Sequence, residues 1–305
     1  MMQGLVLRTT GSWYKVAPSE GGGLIDCRLR GNYRLRGNKQ TNPIAVGDQV
    51  LYVVQEDGTG LISEVCDRRN YIVRKATKLS KQTHVIACNI DQLCIVATLG
   101  FPRTSTGFID RLLVTAEAYH IPARIVFNKV DLYDDELWQI HNELKSIYLH
   151  AGYPVHEVSA LEGTGVDDLR LLMQGKTSLF SGHSGVGKSA LLNALDPSLN
   201  LRVGEVSDWS LKGKHTTTFA ELHPFAGGHL IDTPGIKEFG MVDFKTEEVG
   251  HFFPEIRQVL HECKFANCTH VHEPQCAVKQ AVEDGNINSE RYANYLSIIE
   301  SLEEE

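Results

Sequence analysis

The sequence predicts a multidomain chain with an N-terminal β-barrel, a central α/β unit on a mainly parallel sheet, and a mainly helical C-terminal segment. Three observations carry this. The first 75 or so residues read as short apolar or alternating runs broken by turn residues. From about Asn89 short apolar runs alternate with helical patterns. Cys263, Cys268, His270 and Cys276 then crowd together within residues 263–276.

In chain order, Leu5–Leu7, Trp13–Val16, Leu24–Cys27, Val50–Val54 and Gly60–Ile62 are strand-like. Gly21-Gly22-Gly23, Gly47-Asp48 and Asp57-Gly58 separate them, supplying positive φ and side-chain turn bonds. Several short strands without a helical period predict a small barrel. Leu93–Leu99, Ala123–Asn128, Val155–Ser159, Thr177–Ser181 and Gly228–Asp232 are the next apolar runs, with helical patterns at Phe108–Tyr119, Glu136–Ala151 and Lys188–Leu195. That alternation predicts βαβ units. Beyond Gly240 come a helix-like stretch at Pro254–Leu260 and a helix from Ser289, its expected cap. Tyr292, Tyr295, Leu296, Ile299 and Leu302 give that helix one apolar packing stripe.

Composition excludes several classes. With 42% apolar and 22% charged residues the 305-residue chain is an ordinary globular one. No apolar run approaches the roughly 20 residues of a membrane span, and Met1–Arg8 lacks a signal-peptide layout. Seven cysteines, four scattered and three clustered, read as reduced thiols plus a metal site in a cytosolic protein, not as a disulfide framework. The net charge of −8 argues against a nucleic-acid partner only as an average. Eleven Lys/Arg against seven acids make the first 75 residues +4 and leave −12 for the rest. Arg28, Arg30, Arg34, Arg36 and Lys39 surround Tyr33 in a stretch without acids, the kind of basic, aromatic surface that holds single-stranded nucleic acid.

Gly182-His183-Ser184-Gly185-Val186-Gly187-Lys188-Ser189 matches G-x-x-x-x-G-K-S between a strand and a helix that continues through Ala190. Glycines there let backbone N–H groups turn toward phosphate oxygens. Lys188 reaches the β- and γ-phosphates, and the Ser189 hydroxyl ligates Mg²⁺. Asp232-Thr-Pro-Gly235 ends a strand, where Asp232 suits Mg²⁺ and the Gly235 N–H the γ-phosphate. Asn128-Lys129-Val130-Asp131 follows another strand. The Asp131 carboxylate matches guanine's N1–H and N2–H₂ donors, Asn128 can buttress the site, and the Lys129 stem can cover the base. Ser159-Ala160 suits a backbone N–H to the guanine O6. Together these pieces resemble the guanine-specific P-loop GTPases, in most of which the phosphate loop comes first; here the base-reading motifs precede it, which implies a circularly permuted domain. Cys263, Cys268, His270 and Cys276 fit a closed, structural Cys₃His zinc site, with His272 and His261 as rival imidazoles.

With Pro43-Ile-Ala-Val-Gly47-Asp48 and Gly213-Lys-His-Thr-Thr-Thr218, this set resembles the RsgA family of circularly permuted ribosome-biogenesis GTPases. The resemblance implies an N-terminal OB-fold β-barrel over 1–75, a central α/β circularly permuted P-loop GTPase over 76–242, and a C-terminal zinc-binding domain over 243–305. It implies GTP hydrolysis to GDP and phosphate, with Mg²⁺ and one Zn²⁺, stimulated by the small (30S) ribosomal subunit during its late maturation. The expected partners are that subunit and its rRNA, contacted through the basic OB-fold and the zinc domain, and the expected state is a cytoplasmic monomer without membrane contact. Ile236 stands where Ras-type proteins carry the water-orienting Gln, so slow intrinsic hydrolysis is expected. His215 is the candidate to position water, and one of Thr216, Thr217 and Thr218, with Thr217 as the expected one, completes the Mg²⁺ shell. Two other readings compete: a GTP-dependent regulator acting elsewhere, such as on tRNA, and an RNA-binding scaffold with only structural nucleotide.

Overall fold

The computed structural model describes residues 1–31, 42–75, 83–100, 102–203, 220–232 and 244–304. Strands β1 (Met2–Thr10), β2 (Trp13–Pro18), β3 (Ile25–Leu29), β4 (Gln49–Val54) and β5 (Gly60–Val65) form the barrel. Their order is β1-β2-β3-β5-β4, and β4 returns to β1, which closes the ring. Among the described strands of the barrel only β3 and β5 run parallel. This closed five-stranded connectivity is the OB-fold expected for the N-terminal unit. Alternate residues point inward, so Val6, Tyr14, Val16, Cys27, Val50, Tyr52 and Ile62 fill it, with Ile44 from the preceding loop.

The Pro43–Asp48 segment joins barrel to body. Asp48 is fully buried and accepts from Ala45 N–H at 2.7 Å, Arg68 Nε at 2.7 Å and the Cys88 thiol at 3.0 Å. Gly47 sits at φ +91, and a Cβ there would lie 2.2 Å from the Cys88 carbonyl oxygen. Cys88 ends β7 (Thr83–Cys88), which pairs with β6 (Tyr71–Lys75) as a separate two-stranded sheet. The expected boundary at 75/76 therefore falls inside a hairpin.

Beyond it, β8 (Gln92–Ala97), β9 (Ala123–Phe127), β10 (Val155–Glu157), β11 (Thr177–Ser181) and β13 (Gly228–Asp232) form a parallel sheet, and β12 (Glu221–Phe225) is its antiparallel edge. The order β10-β9-β8-β11-β13-β12 continues into the barrel through one pairing among the described residues, Arg8 with Glu221. Both faces are covered, and successive residues serve different faces. Leu93, Ile95, Ile125 and Leu179 pack under α1 (Thr106–Ala118) and α2 (Asp135–His150). Cys94, Val96, Val126 and Phe180 pack under α3 (Val166–Met173) and α4 (Lys188–Leu195). Burial on both faces explains why these strands read as continuous apolar runs instead of alternating ones.

The C-terminal unit is helical: α5 (Thr246–Val249), α6 (Pro254–Val259), α7 (Ala277–Glu283) and α8 (Ser289–Glu303). The whole expected stripe of α8 enters one core, and Val114 of α1 enters it too. The cap differs from the expectation by one residue: the Asn288 side chain accepts from Glu290 N–H at 2.9 Å and Arg291 N–H at 3.3 Å. Arg291 is 3% exposed and welds α8 to its neighbours. It grips Glu255 with Nε at 2.7 Å and Nη2 at 3.0 Å, and reaches Asp110 of α1 with Nη1 at 2.6 Å.

Candidate nucleotide and metal sites

Along the chain, β8, β9 and β10 step to one side of the sheet, whereas β11 and β13 step to the other. The reversal leaves a crevice between β8 and β11 at their C-terminal ends, where open α/β sheets bind ligands. Asn128 follows β9, Ser159 follows β10 by two residues, Gly182 follows β11 and Asp232 ends β13. Residues scattered over more than a hundred positions thus share one rim.

Three of these loops touch. The Asn128 side chain is buried, donates to the Val186 carbonyl at 2.8 Å and accepts from Ala160 N–H at 3.1 Å. Lys129 donates to the Gly185 carbonyl at 2.7 Å. Gly187 has φ +90, and a Cβ there would lie 2.5 Å from Asn128 Nδ2, so a side chain would force the loops apart. Asp131 Oδ1 is buried without a hydrogen-bond partner among the described residues. Burying an unpaired carboxylate oxygen is costly. Val130 is buried beneath, opening a short 3₁₀ turn.

The Ser159 and Ala160 N–H groups both donate inside the protein, to the Thr164 carbonyl at 2.9 Å and to Asn128 Oδ1 at 3.1 Å. The Ser159 hydroxyl accepts from Glu162 N–H at 3.0 Å. Here this pair shapes the loop and locks Asn128.

Lys188 opens α4 and arches back across the phosphate loop, donating to the carbonyls of Gly182 at 2.6 Å and His183 at 3.0 Å. Burial pulls its pKa below the ordinary lysine value, and the charge of Asp232 opposes that pull. Lysine and acid therefore face one space, with Ser189 on the first turn of the same helix. The His183 ring stacks on Phe108 of α1, with centroids 3.6 Å apart. No spacing rule in the sequence pointed to Phe108. Tyr33, Arg34, Arg36, Lys39, His215, Thr216, Thr217, Thr218 and Gly235 lie outside the described residues.

The four expected zinc ligands converge, with donor atoms all within 4.8 Å of one another. Cys263 Sγ lies 3.9 Å from Cys276 Sγ and 3.5 Å from His270 Nδ1, and Nδ1 lies 3.4 Å from Cys276 Sγ. Tetrahedral zinc, with Zn–S of about 2.3 Å and Zn–N of about 2.05 Å, gives edges of about 3.8 and 3.6 Å. The donor set fits. Burial lowers the His270 pKa, which favours the neutral imidazole that ligates, and pushes the Cys268 thiol up to about 12, a cost that a cation beside the sulfur would reverse. The His272 side chain is exposed and outside the cluster, as is that of His261.

Sequence reasoning missed the supports of this loop. Glu273 accepts from Thr269 N–H at 2.7 Å, Thr269 Oγ1 at 2.8 Å and Val271 N–H at 3.1 Å. Burial would raise this carboxyl, but the Thr269 bonds outweigh it and hold it at about 2. The Tyr292 and Tyr295 hydroxyls, both on α8, donate to the carbonyls of His270 and Thr269 at 2.6 Å each.

Comparison with known proteins agrees with this geometry. The family model for the RsgA GTPase matches residues 65–242, and that for the RsgA N-terminal domain matches residues 3–62. A Bacteroides fragilis protein named small ribosomal subunit biogenesis GTPase RsgA is 51% identical over 304 residues, covering 99% of this chain and 98% of that one. Its namesake from Flavobacterium johnsoniae is 49% identical, covering 99% and 94%. Among solved structures, YjeQ from Thermotoga maritima superposes with a TM-score of 0.81 at 39% identity, covering 99% and 98%. YloQ, described as a circularly permuted GTPase, gives 0.78 at 32% identity, covering 100% and 96%.

Proposed function

The chain belongs to the RsgA family of GTPases, and from that premise we propose that it hydrolyses GTP to GDP and phosphate while assisting late maturation of the small ribosomal subunit. The observation that supports this best is the contact between the Asn128–Asp131 loop and the phosphate loop, with an Asp131 oxygen that has no partner among the described residues beside it. Guanine is the base whose donors satisfy that oxygen, and the loop contact ties base reading to phosphate binding.

In this reading Gly182–Ala190 cradle the phosphates with backbone N–H groups, and Lys188 leaves its two carbonyls to meet the β- and γ-oxygens. Ser189, Asp232 and Thr217 would hold Mg²⁺, which supplies charge neutralisation at the transferring phosphoryl group. Gly235 contacts the γ-phosphate, and His215 positions the attacking water once a partner orders its segment. Ile236, lacking a polar side chain, leaves the isolated chain slow.

Cys263, Cys268, His270 and Cys276 hold one structural zinc that fixes the C-terminal loop against α8. The barrel contacts rRNA through Arg28, Arg30, Arg34, Arg36 and Lys39. Within the described part, the Arg28 guanidinium lies 3.8 Å over the Trp13 ring, a cationic and aromatic pair on neighbouring strands that supports this role. The site of action is the cytoplasm, and the described residues contain no helix long and apolar enough to cross a membrane.

The deciding experiment is GTP turnover by the purified chain with and without purified small subunits. Strong stimulation by the subunit is expected, weakened by raised salt as phosphate contacts are screened. No stimulation in low salt refutes the proposed role.

A further inference from the structure

Helix α1 is held from two sides. Phe108 lies nearly flat on the His183 imidazole, centroids 3.6 Å and planes 28° apart, and His183 is the second residue of the phosphate loop. Two positions on, Asp110 accepts from Arg291 Nη1 at 2.6 Å and Asn294 Nδ2 at 2.7 Å, both on α8. Two residues turn a helix by about 200°, so these contacts leave α1 on opposite faces. The first turn of α1 is fixed further by Thr106 Oγ1, which donates to Glu290 of α8 at 2.7 Å. From α8 the path continues to the metal loop through the hydroxyls of Tyr292 and Tyr295. Hence α1 is in direct contact with both the nucleotide loop and the C-terminal unit.

We infer that Phe108 is a positioning residue of the phosphate loop: its ring pins the His183 side chain, and α1 transmits the docking of α8 to nucleotide affinity. The physical basis is preorganisation. Backbone N–H groups gather around a phosphate only when the loop is fixed in one conformation, and a loop already pinned by its side chain loses less freedom on binding. By linkage, anything that loosens α8 weakens nucleotide binding, and nucleotide tightens α8 by the same factor. The inference rests on reading Gly182–Ser189 as the phosphate site.

The test is titration with fluorescent GDP and GTP analogues of the wild type, Phe108→Leu, Phe108→Tyr, His183→Ala and the double variant Phe108→Leu/His183→Ala. An aromatic stack is worth about 2- to 12-fold in Kd. Phe108→Leu and His183→Ala should each weaken binding by that factor, Phe108→Tyr should match wild type, and the double variant should be no weaker than the poorer single. Leucine retains apolar bulk without a ring, so a role in packing alone would leave Phe108→Leu close to wild type. His183→Ala, on the loop itself, keeps the test open should substitution of Phe108 unfold the chain. Hydrogen exchange gives the second readout: GDP should slow exchange of α8 amides in wild type but not in Phe108→Leu. Additive Kd losses, unchanged Kd in Phe108→Leu, or equal protection of α8 in both proteins overturns the inference alone. A wild type that binds no guanine nucleotide overturns the proposed function, and this inference with it.

Discussion

Arg291→Met tests the joint between the C-terminal unit and the rest of the molecule. The guanidinium is 3% exposed and is shared by Asp110, at 0%, and Glu255, at 8%. Methionine keeps an apolar stem against Phe253, whose ring centroid lies 4.7 Å from the Arg291 guanidinium carbon, but leaves two buried acids without this cation. Removing one partner of a buried ion pair costs about 3–5 kcal/mol. At about 2–4 °C per kcal/mol for a domain of this size, Tm should fall by about 6–20 °C. The sign of the pH dependence follows from Asp110. Burial already raises its pKa, with Arg291 pulling the other way, so losing Arg291 raises it further. A carboxyl whose pKa is higher folded than unfolded binds protons more tightly in the folded state. Its penalty is therefore complete above the folded pKa and fades as pH falls through it toward the unfolded value. The deficit should be larger near pH 7.5 than near pH 5. Scanning calorimetry of wild type and variant at both pH values measures this, with the triple variant Asp110→Asn/Glu255→Gln/Arg291→Met recovering most of the loss. A fall below about 2 °C, or a deficit that deepens on acidification, refutes the assignment of this network as the joint.

Three further outcomes are expected. Asp131→Asn replaces two acceptors by one acceptor and one donor. Guanine nucleotide affinity should drop about 10- to 150-fold, while a xanthine nucleotide, with a carbonyl in place of the exocyclic amine, gains by competition assay. Metal analysis of the purified protein should find about one zinc per chain, and Cys276→Ser should lose it and speed hydrogen exchange across α7 and α8. Gly47→Ala, at φ +91 with its Cβ 2.2 Å from the Cys88 oxygen, should cost about 1–3 kcal/mol in denaturant unfolding while GDP affinity stays unchanged.

Chemistry with fixed spacing was the most legible part of the sequence. A phosphate loop must alternate glycines with a lysine and a hydroxyl, and a tetrahedral site must gather four donors, so Gly182–Ser189 and Cys263–Cys276 stood out whatever surrounded them. Fully buried strands such as β8 were legible as apolar runs for the same reason. What escaped detection depends on distant partners. Arg291 is one charge within an apolar stripe, and its acceptor Asp110 lies on another helix nearly two hundred positions away. Glu221–Phe225 buries Leu222 on one face of the sheet and Phe225 on the other with polar residues and Pro224 between, so it reads neither as a continuous apolar run nor as a clean alternation. His270 and His272 both satisfied the ligand spacing, and only the fold, with His270 at φ +60 and its ring turned inward, separates them. The cap moved from Ser289 to Asn288 because either residue type serves and periodicity fixes a helix end only to within a residue or two.

The single rung between Arg8 and Glu221 has a colloidal consequence. An open sheet offers its outermost strand as a template on which a foreign strand can polymerise. Here β1 pairs with the start of β12, the Arg8 and Glu221 side chains approach to 3.8 Å across that seam, and the barrel that follows closes on itself. At the far side β10 spans only Val155–Glu157, too short to seed much pairing. Fusing the barrel to the sheet thus guards this edge of the molecule against strand-by-strand self-association.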